Sequence, residues 1–137
     1  MIFGSFHQGK EQYQKKALSK DKYIICNGYK RQNYKQNICD LINDGFNVIP
    51  VLDHLEEIDY YKKHAKADVV NLGIRISTEE EPSFTFYTSR LGIRSSEIMS
   101  LYNDKIKPNP KFKLKLLHFF INTGIKDTIY YWTELNK

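Results

Sequence analysis

The sequence predicts an α/β fold built on parallel strands, and its clearest sign is a repeating strand-then-helix rhythm. Apolar runs at Tyr23–Cys26, Asn47–Leu52, Val69–Ser77 and Leu114–Thr123 are each followed by a segment with helical character. Parallel strands need such crossovers, because a tight turn cannot return the chain to the same end of the sheet. Four strand–helix units amount to roughly half of a TIM-like (β/α)8 barrel, which needs ~250 residues when complete. The 137 residues therefore read as one unit, 1–137, corresponding to part of such a barrel.

The elements follow in order. Residues 1–21 are polar and lysine-rich, and they leave the N-terminal segment poorly defined; Lys10–Leu18 has only a thin apolar stripe. Tyr23–Cys26 ends at Asn27-Gly28, a turn signal. Tyr34, Ile38, Leu41 and Ile42 then share one helical face, with Asn33 placed to cap it and Gly45 to end it. Within the next strand Pro50 removes a ladder donor, so it marks the strand's end or a position where one side lacks a partner. Asp53 sits as an N-cap with Glu56 in the reciprocal position of a capping box. Leu55, Ile58, Tyr61 and Ala65 make that helix's inner face.

Val69–Ser77 is the third strand, with Arg75 in an apolar setting. Residues 78–88 read as an acidic, irregular loop. Ile98, Leu101, Tyr102 and Ile106 form the stripe of a helix that Ser95 is placed to cap and that ends before Pro108. Residues 113–123 read as the fourth strand. Uninterrupted alternation puts Leu114, Leu116, His118, Phe120 and Asn122 on one face, and Leu117, Phe119 and Ile121 on the other. Apolarity on both faces suits a parallel strand buried beneath helices. Asp127 is placed to cap a last helix whose Tyr131, Trp132 and Leu135 pack inward.

Composition narrows the classes of function. With 41% hydrophobic and 27% charged residues, the chain is expected to be globular rather than disordered. No apolar run approaches the ~18 residues of a membrane span, and no membrane role is expected. Cys26 and Cys39 read as reduced core thiols in a cytoplasmic protein. The net charge of +5 comes from lysines spread along the chain. They read as solvated helix faces rather than as a nucleic-acid surface. Phosphate-binding glycine loops, C-x-x-C, H-E-x-x-H and the G-x-S-x-G elbow are not found.

Chemistry is therefore sought at the strand ends, where parallel α/β proteins place ligands. Those ends carry Asn27 and Lys30, then Asp53 and His54, then Arg75 and Ser77, then His118, Asn122 and Thr123. An arginine in an apolar strand is costly unless paired or facing a polar site, so Arg75 has two readings: a ligand group, or the partner of a nearby carboxylate. His118 reads more readily as a satisfied core histidine than as a catalyst. Thr123, before Gly124, is placed to donate to a phosphate or to cap its own turn. Lys30 reads as solvated.

These strand-end motifs carry a resemblance. YIICNGYK (Tyr23–Lys30), VVNLGIRIS (Val69–Ser77), TSRLGI (Thr88–Ile93) and LHFFINTG (Leu117–Gly124) resemble, in order and spacing, motifs of the biosynthetic arginine decarboxylases. Those are pyridoxal-phosphate enzymes with an alanine-racemase-like barrel. The resemblance covers nearly all the chain from Tyr23 onward. It implies that Arg75 is the family's strand arginine near the cofactor, that Thr123 stands for a serine contacting the cofactor phosphate, and that Phe120 stands where a histidine stacks on the pyridine ring. A phenyl ring can stack but cannot hydrogen-bond. Arg90 matches a basic position that is usually lysine, and Asn122 replaces a glycine.

The expected parent function is pyridoxal 5'-phosphate-dependent conversion of L-arginine to agmatine and carbon dioxide, by a homo-oligomer when intact. No residue matches the Schiff-base lysine, the glycine-rich phosphate loop or the acid at the pyridine nitrogen. The chain by itself is thus expected to be inactive, with no catalytic residue assigned. Open sheet edges of a half barrel lead to the expectation of self-association or marginal stability. The alternative is a self-contained, non-enzymatic α/β module that binds an anionic ligand.

Overall fold

The computed structural model describes residues 19–77 and 91–119, the backbone of Ile2–Phe3, and the isolated positions Trp132 and Asn136. Within them a parallel sheet comprises β1 (Ile2–Phe3), β2 (Tyr23–Cys26), β3 (Asn47–Leu52), β4 (Val70–Ser77), β5 (Ile93–Arg94) and β6 (Phe112–Phe119). Strands β1 to β4 are neighbours in sequence order, and β6 then pairs with β4. The short β5 pairs with the C-terminal end of β4 at Ile76 and Ser77. Next to it, the Gly92 N–H donates to the Asp53 carbonyl at 3.3 Å, which draws β5 toward the end of β3.

The crossovers are α1 (Gln32–Asn43), α2 (Glu57–His64) and α3 (Ser95–Leu101), the last continuing into a π-helical turn at Tyr102–Ile106. Their apolar stripes are those expected from spacing. Ile38, Leu41, Ile42, Ile58, Tyr61, Leu101 and Ile106 join Ile24, Val48, Leu52, Val70, Leu72, Ile74 and Phe112 in one core between helices and sheet. The other sheet face is also apolar: Ile25, Ile49 and Val51 are buried outside that core. Burial on both faces marks a parallel sheet covered on both sides, and among the described residues the sheet is not closed and is compatible with part of a TIM-like barrel.

Curvature follows from one contact. Strands β2 and β6 are separated by β3 and β4, which in a flat sheet would hold them ~14 Å apart. Yet the side chains of Asn27, just after β2, and His118, on β6, meet at 3.2 Å. The sheet therefore curls around its inner face and brings the strand ends together.

Local details depart from expectation for identifiable reasons. Pro50 lies within β3, not at its end. Residues 47–50 pair with β2 whereas 51–52 pair with β4, so the missing donor falls where pairing changes sides. In β6 the register passes from Leu72↔Leu114 to Gly73↔Leu116, leaving Lys115 as a bulge. Leu114 therefore shares the helix-facing side with Leu72, while Leu116 and His118 share the inner side with Gly73 and Arg75. The expected common face for Leu114, Leu116 and His118 is broken by that one residue.

The helices begin slightly away from their expected caps. Arg31, Glu56 and Arg94 occupy the N-cap positions, none with a side-chain capping bond, in place of Asn33, Asp53 and Ser95. Gly45, with φ of +84°, ends α1 as its composition suggests. Trp132 is 59% exposed rather than packed inward, and Leu117 is 57% exposed on β6. Lys10–Leu18 with its thin apolar stripe, the acidic loop 78–88, and Arg90, Phe120, Ile121, Asn122, Thr123, Asp127, Tyr131 and Leu135 lie outside the described residues.

Candidate functional site at the strand ends

Four elements deliver polar side chains to the C-terminal end of the curled sheet. Asn27 and Lys30 come from the β2–α1 connection, Asp53 and Glu57 from the β3–α2 connection and start of α2, Arg75 from β4 and His118 from β6. The β3–β4 ladder pairs Val51 with Gly73, so Asp53 and Arg75 occupy the next rung on the same face. The β4–β6 ladder pairs Arg75 with His118 directly. Asp53, Arg75 and His118 thus form a row across three strands, and Asn27 closes it from the far side.

Gly73 explains how that row can lie close over the apolar floor. A Cβ at this position would stand 3.1 Å from Leu116 Cδ2 and 3.1 Å from Val51 Cγ2. The absence of a side chain lets the neighbours fill the inner face directly below Arg75.

Lys30 is the largest departure from the sequence reading. Expected in solvent, its side chain is fully buried. Its ammonium donates to the Gly28 carbonyl at 3.1 Å and to Asp53 Oδ2 at 3.1 Å, and it lies 3.2 Å from Glu57 Oε2. The Asp53 N–H in turn donates to Glu57 Oε1 at 3.2 Å. The reciprocal contact of the expected capping box is therefore made by Glu57, not Glu56, and the Asp53 carboxylate is released to face Lys30. A buried ammonium is tolerable only with such partners.

On the other side of Asp53, Oδ1 lies 3.8 Å from an Arg75 terminal nitrogen. This is the carboxylate partnership that an arginine in an apolar strand calls for, and Arg75 still reaches the strand-end face. At His118, burial lowers the imidazole pKa, and the neighbouring Arg75 charge lowers it further. The Asn27 amide nitrogen, which can only donate, lies 3.2 Å from His118 Nε2, and in that contact Nε2 accepts and the ring proton sits on Nδ1. His118 Nδ1 and Asn27 Oδ1 are both buried without a hydrogen-bond partner among the described residues. Burial raises the Glu57 pKa despite the adjacent Lys30.

The structure therefore joins Arg75, Asp53, His118 and Asn27 at one mouth, buries Lys30 there instead of leaving it in solvent, and adds Glu57, which the sequence did not single out. The usable signal was the spacing Asp53–Glu57, one helical turn, opposite a lysine that closes a glycine turn. His54 is exposed and outside the cluster. Cys26 and Cys39 are free and buried, and burial pushes each thiol up to about 11. Among the described residues no cluster of His, Cys, Asp and Glu is arranged to hold a metal ion, and no helix is long and apolar enough to cross a membrane.

No family model matches the chain. Curated relatives do. The biosynthetic arginine decarboxylase of Phocaeicola vulgatus is 31% identical over 112 residues, covering 77% of this chain and 18% of that protein. That of Bacteroides thetaiotaomicron is 30% identical over 112 residues, with the same coverage of 77% and 18%. That of Vibrio cholerae is 27% identical over 133 residues, covering 83% of this chain and 20% of that protein. The chain thus spans about a fifth of the length of the curated relatives it matches. In sequence, and with a fold compatible with part of a TIM-like barrel, it is a partial-length relative of the biosynthetic arginine decarboxylases.

Proposed function

We propose that this chain forms one wall of the cofactor-binding mouth of a pyridoxal 5'-phosphate-dependent arginine decarboxylase, a carbon–carbon lyase that converts L-arginine to agmatine and carbon dioxide. The observation that carries the reading is the meeting of Arg75, His118 and Asn27 at the strand ends, in a chain related to decarboxylases of that name. The polar set suits an anionic ring that also carries a hydrogen-bond donor: a cation and an imidazole N–H can donate to it and the Asn27 amide oxygen can accept, the imidazole Nδ1 and the amide oxygen being buried with no partner among the described residues. When bound, the cofactor supplies the electron sink for loss of carbon dioxide. Arg75 would hold its oxygen substituents, while Phe120 and Thr123, by resemblance, would meet the ring face and the phosphate.

Among the described residues the wall does not include the anchor. Lys30 has the right chemistry for an imine but is enclosed by Gly28, Asp53 and Glu57, and its ammonium holds the fold rather than a ligand. The 137-residue polypeptide is accordingly a binding surface and does not turn over arginine alone.

The test is a titration of the isotope-labelled 137-residue chain with pyridoxal 5'-phosphate, followed by NMR, absorbance and borohydride trapping. Saturable shifts at Arg75 and His118 without a stoichiometric imine are expected. A trapped stoichiometric adduct with agmatine production would overturn the wall reading. Shifts confined to scattered surface lysines would overturn the site altogether, and binding of inorganic phosphate alone at Arg75 would favour the anion-binding module.

A further inference from the structure

We propose that Asp53 is a positioning residue that holds the Arg75 guanidinium at the strand-end mouth, and that Lys30 and Glu57 exist in this fold to hold Asp53. The proposal deepens the cofactor-wall reading and rests on it for what Arg75 meets, although the charge relay itself stands on geometry alone.

The geometry has a direction. Lys30 is fixed first, by a carbonyl of its own turn and by two carboxylates. Asp53 is fixed next by two hydrogen bonds, its backbone N–H to Glu57 and Oδ2 from Lys30, while Oδ1 makes no hydrogen bond among the described residues and pairs with Arg75 as an ion at 3.8 Å. It is 1% exposed, so water does not compete for either oxygen. Arg75 comes last and is the more exposed partner, with 13% of its side chain accessible. The order runs from the enclosed ammonium outward to Arg75, the more exposed cation of this cluster.

The electrostatics explain why both carboxylates are present. Asp53 alone between Lys30 and Arg75 would leave a net positive buried cluster. With Glu57 ionised, two carboxylates balance two cations, and the site has no excess charge to expel. Arginine suits the outer position because its planar fork can engage a carboxylate with one edge and offer the other edge to an anionic or oxygen-bearing ligand.

The experiment reads Arg75 directly in the ligand-free 137-residue chain. Its Nε–Hε resonance, assigned by Arg75→Lys, should be dispersed and slow in side-chain rotation compared with Arg31 and Arg94. In Asp53→Asn it should collapse onto the signals of those exposed arginines. Where Asp53→Asn does not fold, Lys30→Met/Asp53→Asn removes the buried ammonium together with its partner and should show the same collapse. Rapid rotation of Arg75 in the unaltered chain, or a dispersed signal in either folded variant, would overturn the proposal.

Titration with pyridoxal 5'-phosphate separates this inference from the reading beneath it. Binding should weaken by about tenfold or more in the Asp53 variant, in the range expected for losing a buried charge partner. If the unaltered chain does not bind the cofactor but Arg75 still loses its order on substitution of Asp53, the cofactor reading fails and the positioning role stands. If the cofactor binds equally to both, the positioning role fails.

Discussion

The Lys30 ammonium lies 3.1 Å from the Asp53 carboxylate with no solvent-accessible side-chain surface, so a turn lysine is an internal strut between two strand ends. Removing it leaves Asp53 and Glu57 facing each other across a dry gap. Lys30→Met should therefore destabilise the chain by about 3–5 kcal/mol, the usual cost of orphaning a buried charge. A substitution on a solvated turn would cost less than ~0.5 kcal/mol. Urea unfolding monitored by circular dichroism distinguishes the two. Adding Asp53→Asn to Lys30→Met should recover part of the loss, because the pair is then removed together.

Two glycines with positive φ should differ in what they tolerate. Gly28 (φ +89°) has open space where a Cβ would stand, whereas at Gly92 (φ +113°) a Cβ would lie 2.8 Å from the Ser77 backbone nitrogen. Gly28→Ala should cost about 1 kcal/mol, the conformational penalty alone. Gly92→Ala adds a collision with backbone that cannot rotate away, and should cost at least ~2 kcal/mol while releasing β5 from β4. Loss of amide protection at Ile93, with Ile74 unaffected, is the expected exchange signature.

Leucines on β4 and β6 differ sharply in burial. Leu72 is fully buried in the helix-side core, while Leu117, beyond the bulge, is 57% exposed. Leu72→Ala should cost about 2–5 kcal/mol. Leu117→Ala should stay within ~0.5 kcal/mol. Comparable losses at the two positions, measured by urea denaturation, would mean that Leu117 is covered.

What was legible follows from which interactions are local. The strands and helical stripes are written in short-range periodicity, so Ile24, Val48, Leu72 and the Ile38–Leu41–Ile42 stripe fall where spacing puts them. Arg75 was legible because an arginine among valine, leucine and isoleucine demands a partner. The partner's identity was not, since Asp53 and Arg75 meet only through the β3–β4 register. Lys30 was misread because burial of a lysine depends on carboxylates brought in by another strand–helix connection. The Lys115 bulge was invisible because alternation of leucine and lysine runs through it unbroken. For the cofactor residues implied by resemblance, Phe120 and Thr123, the described structure offers no geometry.

His118 gives the mouth a pH dependence of definite sign. Its folded-state pKa is lowered, by burial first and by Arg75 second, so the folded chain favours the neutral ring and the unfolded chain binds the proton more tightly. The stability His118 contributes is therefore fully present above the unfolded value, about 6.5, and is lost as pH falls toward the lowered folded value. Protonation also removes the Nε2 acceptor that the Asn27 amide uses. His118→Asn should lower stability at pH 8 by what the neutral ring contributes there and flatten the fall below about pH 6.5. Glu57 works in the opposite sense: its folded pKa is raised, so its burial favours the folded chain at low pH and opposes it as pH rises. Urea midpoints at several pH values for the unaltered chain, His118→Asn and Glu57→Gln separate the two. A His118→Asn profile parallel to the unaltered one between pH 5 and 7 would show that the ring titrates without regard to the fold.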